Sequence, residues 1–355
     1  QLQKLISLGG VTVNDKPPKA STVVRQGDVL DIILPPTPAR YLRPEPIPID
    51  VLFEDEHFIV LNKQADLIVH PARSHLSGTL INGLAHHFMQ QRGGTAATDP
   101  SQRTDGTVEG LSTTGADEFR PGIVHRLDKH TTGVMVVAKS DEAHWRIAAQ
   151  FEHRQTLKAY LALVHGNFDT VGGVIDQPLG KHPTIREAQA VRHDSKGKAS
   201  VTLYRVREQY RGYSLVELEL RTGRTHQIRV HLSYLGRPIV GDMLYGGEAV
   251  GPAELDAPPT PAGVRTNLTF ARTKEQWEKL EAQLAQRDDL LVMHPALHAA
   301  VLGLTHPIRK QWMTFVAPMH EPEGRLVHER RKRRMHAPVA KEGYHVDLDA
   351  VIAPG

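Results

Sequence analysis

His125-Arg126-Leu127-Asp128 places an imidazole, a guanidinium and a carboxylate within four residues, with Thr131-Thr132-Gly133 close behind. A free aspartate, with a pKa of about 3.9, is ionised at neutral pH. Asp128 can therefore serve as a nucleophile or a base. In a desolvated pocket its pKa would rise. An arginine at hydrogen-bond distance would oppose that rise and fix its rotamer. A second cationic stretch is Arg221-Thr222-Gly223-Arg224-Thr225-His226-Gln227-Ile228-Arg229-Val230-His231. Here Thr225 is expected to cap a helix in which Ile228, Leu232 and Leu235 share a face. Arg224 then lies just before a helix start and Arg229 one turn in, a setting that attracts phosphates or carboxylates. His125, His226 and His231 raise the question of a metal. No His-x-His or His-Glu-x-x-His spacing supports one, and none is expected.

These groups need rigid carriers. The run Val134-Met135-Val136-Val137 is apolar at every position, which predicts a strand covered on both faces. A short strand ending at Val124 precedes the loop, and Gly133 stands where a turn needs free φ. A loop pinned between two strands is how a catalytic side chain is commonly fixed. Residues 143–151 read as a helix. Leu157 to His165 reads as a strand ending at Gly166, with Lys158, Tyr160 and Ala162 on one side. Two more strands are expected at 201–206 and 213–220. In the second, Val216, Leu218 and Leu220 should face the core and Glu217 and Glu219 the solvent. A last strand is expected at Met313 to Val316. Earlier in the chain, strands at 51–53 and 58–61 flank a turn, and Gly78-Thr79 opens a helix with Leu80, Leu84 and Phe88 on one stripe.

The wider organisation follows from composition. The 355 residues are 40% hydrophobic and 23% charged, with a net charge of +3 and no cysteine. That excludes a disulfide framework and a cysteine zinc site. No membrane-length apolar run or signal peptide is evident, so a cytoplasmic, monomeric protein is expected. Residues 1–36 form a small unit: a helix over Leu2 to Leu8 stopped by Gly9-Gly10, then extended stretches at 11–13, 23–24 and 29–34. Gln1 falls inside that helix, so an N-terminal truncation is expected. Residues 37–48 are a Pro-rich, stiff linker. The main domain spans 49–320, with polar insertions at about 91–119 and 248–288, the second carrying a helix at 274–284. Deleting 92–118 is expected to leave folding intact. Residues 321–355 read as a polar tail whose basic run Glu329-Arg330-Arg331-Lys332-Arg333-Arg334 is solvated.

The central signature resembles that of RluA/RluD-type pseudouridine synthases. Four further segments match that family in order: Asn62-Lys63 through Val69-His70-Pro71; Lys158-Ala159-Tyr160 to Gly166; Thr222 to His231 with Gly241-Asp242; and Ala296-Leu297-His298-Ala299 with His306-Pro307. The first 36 residues resemble the back half of the RNA-binding domain named after ribosomal small-subunit protein S-four. His130 stands where members often carry an acid, Thr132 where Ser is usual and Gln64 where Pro is usual. The two insertions leave open which RNA is recognised.

The resemblance implies an α+β fold: a bent, mixed, mostly antiparallel sheet with flanking helices and a central RNA-binding cleft. It implies isomerisation of uridine to pseudouridine in RNA without a cofactor. Large-subunit ribosomal RNA is the expected substrate, with transfer RNA or a non-catalytic RNA-binding role as alternatives. The family's catalytic aspartate maps to Asp128, its active-site tyrosine to Tyr160 and the aspartate's arginine partner to Arg229. The target uridine must leave its stack, at a cost of a few kcal/mol. Tyr160 can stack on the extruded base, and Arg126 can fill the vacated space or form a structural ion pair. His125, Arg224, Lys63 and His70 complete the expected RNA-facing set, although structural roles suit each of them too.

Overall fold

Two stretches of aliphatic and β-branched residues, Phe58–Lys63 and Thr132–Ala138, are buried at every position. Such runs fit strands covered on both faces, and the sheet is built outward from them. The computed structural model describes residues 2–7, 9–33, 42–71, 77–93, 107–115, 120–252, 286–333 and 339–352, with single positions 254, 282 and 284. In chain order the described strands are β1 (Val11–Val13), β2 (Leu30–Ile32), β3 (Val51–Glu54), β4 (Phe58–Lys63), β5 (Thr132–Ala138), β6 (Leu157–His165), β7 (Gly172–Asp176), β8 (Leu179–Lys181), β9 (Gln189–Val191), β10 (Val201–Tyr210), β11 (Tyr213–Leu220), β12 (Leu297–Thr305) and β13 (Trp312–Val316). The helices are α1 (Leu2–Ser7), α2 (Leu80–Gln91), α3 (Asp141–Glu152), α4 (Gln227–Tyr234), α5 (Glu321–Arg331) and α6 (Leu348–Val351).

The main sheet has nine strands in the order β3-β4-β5-β12-β6-β11-β10-β7, with β13 added to β12. Every pairing is antiparallel except β5 with β12, which run parallel where Thr132 and Gly133 face His298 and Ala299. The expected α+β class and mostly antiparallel mixed sheet are therefore present. Register shifts between Ala299 and Val301 and between Val206 and Glu208 mark bulges, which bend and twist strands. One apolar core gathers β4, β5, α2 and α3 through residues such as Ile59, Leu84 and Ile147. Another gathers β6, β11 and α4 through Leu161, Val216 and Leu232. Tyr160 on β6 packs against both, so the seam between the two cores passes beside it.

Several expectations need correction. Glu217 and Glu219 on β11 do not face solvent; Glu217 is fully buried. A further layer, the C-terminal segment, lies over that face: Glu217 pairs with Arg207 and accepts the His345 N–H at 2.6 Å. Residues 321–333 and 339–352 are accordingly not a solvated tail. Leu326, Val327, Val346, Val351 and Ile352 join the second core. Arg330 is fully buried with its guanidinium 3.4 Å from the Tyr213 ring centroid, and Arg331 pairs with Glu208 at 3.0 Å. Part of the first insertion also belongs to the fold. Val108 and Leu111 are buried in the first core, and Asp141 accepts from the Ser112 hydroxyl and the Thr113 amide at 2.6 and 2.8 Å. These bonds, that from Ser112 foremost, hold the Asp141 carboxyl down at about 2. Deleting 92–118 would remove these contacts, so that change is not neutral.

The linker is docked from residue 42 onward. Leu42 is buried, the Glu45 N–H donates to Asn82 O at 3.0 Å, and the Asn82 amide donates to Arg43 O at 2.8 Å. Near Val23-Val24 there is no strand; among the described strands β1 pairs with β2. The strand expected before the loop reduces to one bridge, Ile123 to Val137. The helix expected at 274–284 lies almost wholly outside the described residues.

Candidate active site

The loop from His125 to Thr131 is fixed by alternate side chains turned inward. His125 stacks on Phe151 at 4.5 Å, and its Nε2 accepts the Val136 N–H at 3.0 Å. That bond requires an unprotonated Nε2. Burial, with Lys158 adding to it, pulls the imidazole down to about 3, so it is neutral. Leu127 is buried in the first core. Between and beyond these anchors, Arg126 is exposed and Asp128 reaches the cleft with its side chain 22% exposed. The Thr131 N–H closes the turn on Asp128 O at 3.1 Å. Gly133 follows at φ +108, where a Cβ would collide with the Ala299 backbone. The expected need for glycine there is real, and its cause is the parallel β5–β12 approach.

Lys63 does not border the cleft. Its ammonium is buried behind the loop, where it donates to Gln64 O, Leu67 O and Lys129 O at 2.8, 3.0 and 3.0 Å. Three donors meet three carbonyls, one of them next to Asp128. Burial lowers this amine to about 7, opposed by Asp128, Asp66 and Glu323. His70 is also buried and does not line the cleft. Burial, aided by Arg120 and Arg126, brings it to about 4.

The facing wall is the loop 221–226 and α4. Thr225 is not its cap. His226 takes the cap position in a left-handed conformation, φ 55 and ψ 20, and the Gln227 side chain accepts from Thr222 Oγ1 and Arg224 N. Arg224 leans on Ala199 O through Nε at 3.4 Å while still lining the cleft. Arg229 is buried and points two nitrogens at Asp242, Nε at 2.7 Å and Nη2 at 2.8 Å from its carboxylate oxygens. Its remaining Nη1 lies 3.7 Å from Asp128 Oδ2. Arg229 and Asp128 face each other as an ion pair, but not at the expected hydrogen-bond distance, and Asp242 is the arginine's main partner. Burial works against the charge on Arg229, and the Asp242 carboxylate more than offsets it, so the pKa is raised.

A cleft of about 440 Å³ lies between these walls. It brings together Asp128, Tyr160, Arg229, Arg126, His125 and Arg224, and adds Phe151, Arg154, Lys158 and His226. Burial, followed by the Asp128 charge, raises the Tyr160 phenol, so it keeps its proton at neutral pH. Asp242 and Tyr245, which stand directly behind Arg229 and His226, were not assigned roles from the sequence. The pattern Gly241-Asp242 was visible, but nothing in it indicated an arginine partner thirteen residues away. Among the described residues no group of three His, Asp or Glu is placed to hold a metal. No described helix is long and apolar enough to cross a membrane.

A carboxylate beside a cation, a protonated phenol and exposed arginines around one cleft can receive a polyanion and attack or deprotonate a base inserted into it. The chain belongs to the RNA pseudouridine synthases: the family profile described as RNA pseudouridylate synthase matches residues 57–234. It is 33% identical to the uncharacterized RNA pseudouridine synthase YlyB of Bacillus subtilis, over 94% of this chain and 89% of that protein. It is 34% identical to ribosomal large subunit pseudouridine synthase D of Pasteurella multocida, over 89% of this chain and 80% of that protein. In three dimensions it is similar to human RNA pseudouridylate synthase domain containing 4, with a TM-score of 0.52 and 24% identity. That match covers 81% of this chain and 95% of the other. The protein isomerises uridine to pseudouridine in RNA.

Proposed function

We propose that Asp128 is the catalytic carboxylate, that Arg229 holds it in place, and that Tyr160 works on the extruded uracil. The observation that carries this reading is the meeting of these three side chains in one cleft, with Arg229 Nη1 at 3.7 Å from Asp128 Oδ2. In the reaction the N1–C1′ bond breaks, the base turns and a C5–C1′ bond forms. C5 loses its proton and N1 gains one, so no co-reactant is consumed. Asp128 acts as the nucleophile or base, and the Tyr160 hydroxyl serves the proton movement at C5. Arg126, exposed on the rim, enters the space the uridine leaves, and Arg224 meets a phosphate. The N-terminal helix and β1–β2 hairpin add a second RNA contact.

Large-subunit ribosomal RNA is the proposed substrate, supported by the likeness to the Pasteurella synthase. A monomer acting in the cytoplasm is part of the same proposal. Tyr160→Phe is expected to slow single-turnover conversion about a hundredfold while RNA affinity stays within twofold. Rate constants and dissociation constants on one transcript check this. Equal losses in both would show that Tyr160 only binds.

A further inference from the structure

A single short turn supports both groups that face Asp128. Asp242 begins it and Tyr245 ends it, through the 3-10 segment Met243–Tyr245. Gly241 at φ +76 and Gly246 at φ +89 bracket the turn, and a Cβ on Gly241 would collide with the His294 carbonyl. Asp242 grips Arg229, whose guanidinium also lies 4.8 Å from the Tyr245 ring centroid. Tyr245 Oη lies 2.7 Å from His226 Nδ1 and accepts the Gln189 N–H at 2.8 Å. His226 Nε2 in turn lies 3.8 Å from Asp128 Oδ2. The His226 backbone is left-handed, a conformation costly to a side-chain-bearing residue, and such conformations persist where the surroundings impose them.

Which ring nitrogen carries the proton follows from these contacts. A lone pair on Nε2 would face the Asp128 carboxylate and be repelled, whereas an N–H there is attracted. With the proton on Nε2, Nδ1 is an acceptor and takes the Tyr245 O–H. The hydrogen bond to one imidazole nitrogen thus sets the chemistry of the other. Burial, ahead of the opposing pull of Asp128, lowers His226 below the usual imidazole range, so the ring is neutral. Tyr245 keeps its proton, because burial raises its pKa.

We propose that His226 and Tyr245 are a positioning pair for the reaction: the Tyr245 hydroxyl fixes His226 as the Nε2–H form, which with Arg229 Nη1 orients the Asp128 carboxylate toward the substrate. This rests on Asp128 being the catalytic carboxylate. The pair acts through Asp128 and adds nothing to RNA affinity.

The test is a two-by-two set of variants of the full chain: parent, Tyr245→Phe, His226→Gln and both together. Single-turnover rates and dissociation constants are measured on an RNA that the parent converts. Gln keeps an N–H donor at about the reach of Nε2 and needs no tautomer set for it. Tyr245→Phe is expected to slow conversion about tenfold with RNA affinity unchanged. In the His226→Gln background, measured against that variant's own rate, the same change should cost less than about twofold, a coupling that only pairwise action produces. Equal tenfold losses in both backgrounds, or a matching loss of RNA affinity, would overturn the pair. Should Tyr245→Phe lower the melting temperature enough to obscure the rates, His226→Leu against His226→Gln reads the same contact. The Leu variant should be about tenfold slower, and equal rates would overturn the proposal. Asp128→Asn is run alongside. If it is inactive while the losses add, only the pair is refuted; if it stays active, the reading of Asp128 is refuted instead.

Discussion

Asp128→Asn is expected to lower conversion of uridine by at least about a thousandfold, the scale seen when a catalytic side chain is lost, and to leave RNA binding intact or slightly tighter. The asparagine matches the shape but can neither attack nor take a proton. Its loop does not depend on the charge for its form. His125 stacks on Phe151, Leu127 is buried, and Lys63 holds the carbonyl next door. Removing an anion from a cleft bordered by Arg126, Arg154, Arg221 and Arg224 also lessens repulsion of phosphate. Nucleoside analysis after a single turnover gives the rate, and filter binding gives the affinity. A variant within tenfold of the parent rate would remove Asp128 from the chemistry.

Asp242→Ala should produce the largest loss of stability of any single side-chain change at the site. Arg229 is buried, and Asp242 takes two of its nitrogens at 2.7 and 2.8 Å. Removing the carboxylate leaves a buried cation with the more distant Asp128 oxygen at 3.7 Å and the Tyr245 ring centroid at 4.8 Å. Breaking a buried pair from one side costs about 3–5 kcal/mol. Asp242→Asn, which keeps one acceptor, should cost less. Urea unfolding of the three proteins checks the order. A loss under about 1 kcal/mol for the alanine variant, the range of an exposed pair, would show that Asp242 is not the anchor. Activity should fall as well, because an unanchored Arg229 no longer presents Nη1 to Asp128.

Much of the catalytic loop was legible in the sequence because its determinants are local. Val134 to Val137 announces a doubly covered strand, Gly133 a position with free φ, and the alternation along 157–165 puts Tyr160 beside Lys158. The order of strands was not legible. The parallel contact of Gly133 with Ala299 joins residues far apart in the chain, and no local pattern encodes it. The same limit explains the C-terminal error. Arg330 and Arg331 look solvated when charge is counted alone, but Tyr213 and Glu208 wait for them more than a hundred residues earlier. Glu217 was assigned to solvent by a valid alternation rule, applied without knowledge of the third layer that covers it. At the site, resemblance led from Arg229 directly to Asp128, whereas burial of a guanidinium demands a full bidentate partner, which Asp242 supplies.

The most direct test of the central claim is tritium release from C5-labelled uridine in a large-subunit ribosomal RNA transcript, with Asp128→Asn and a transfer RNA transcript in parallel. Release from the ribosomal transcript by the parent protein, none by the variant and little from transfer RNA is the predicted result. Undiminished release by the Asp128→Asn variant, or tight binding of both RNAs by the parent with no release from either, would contradict it.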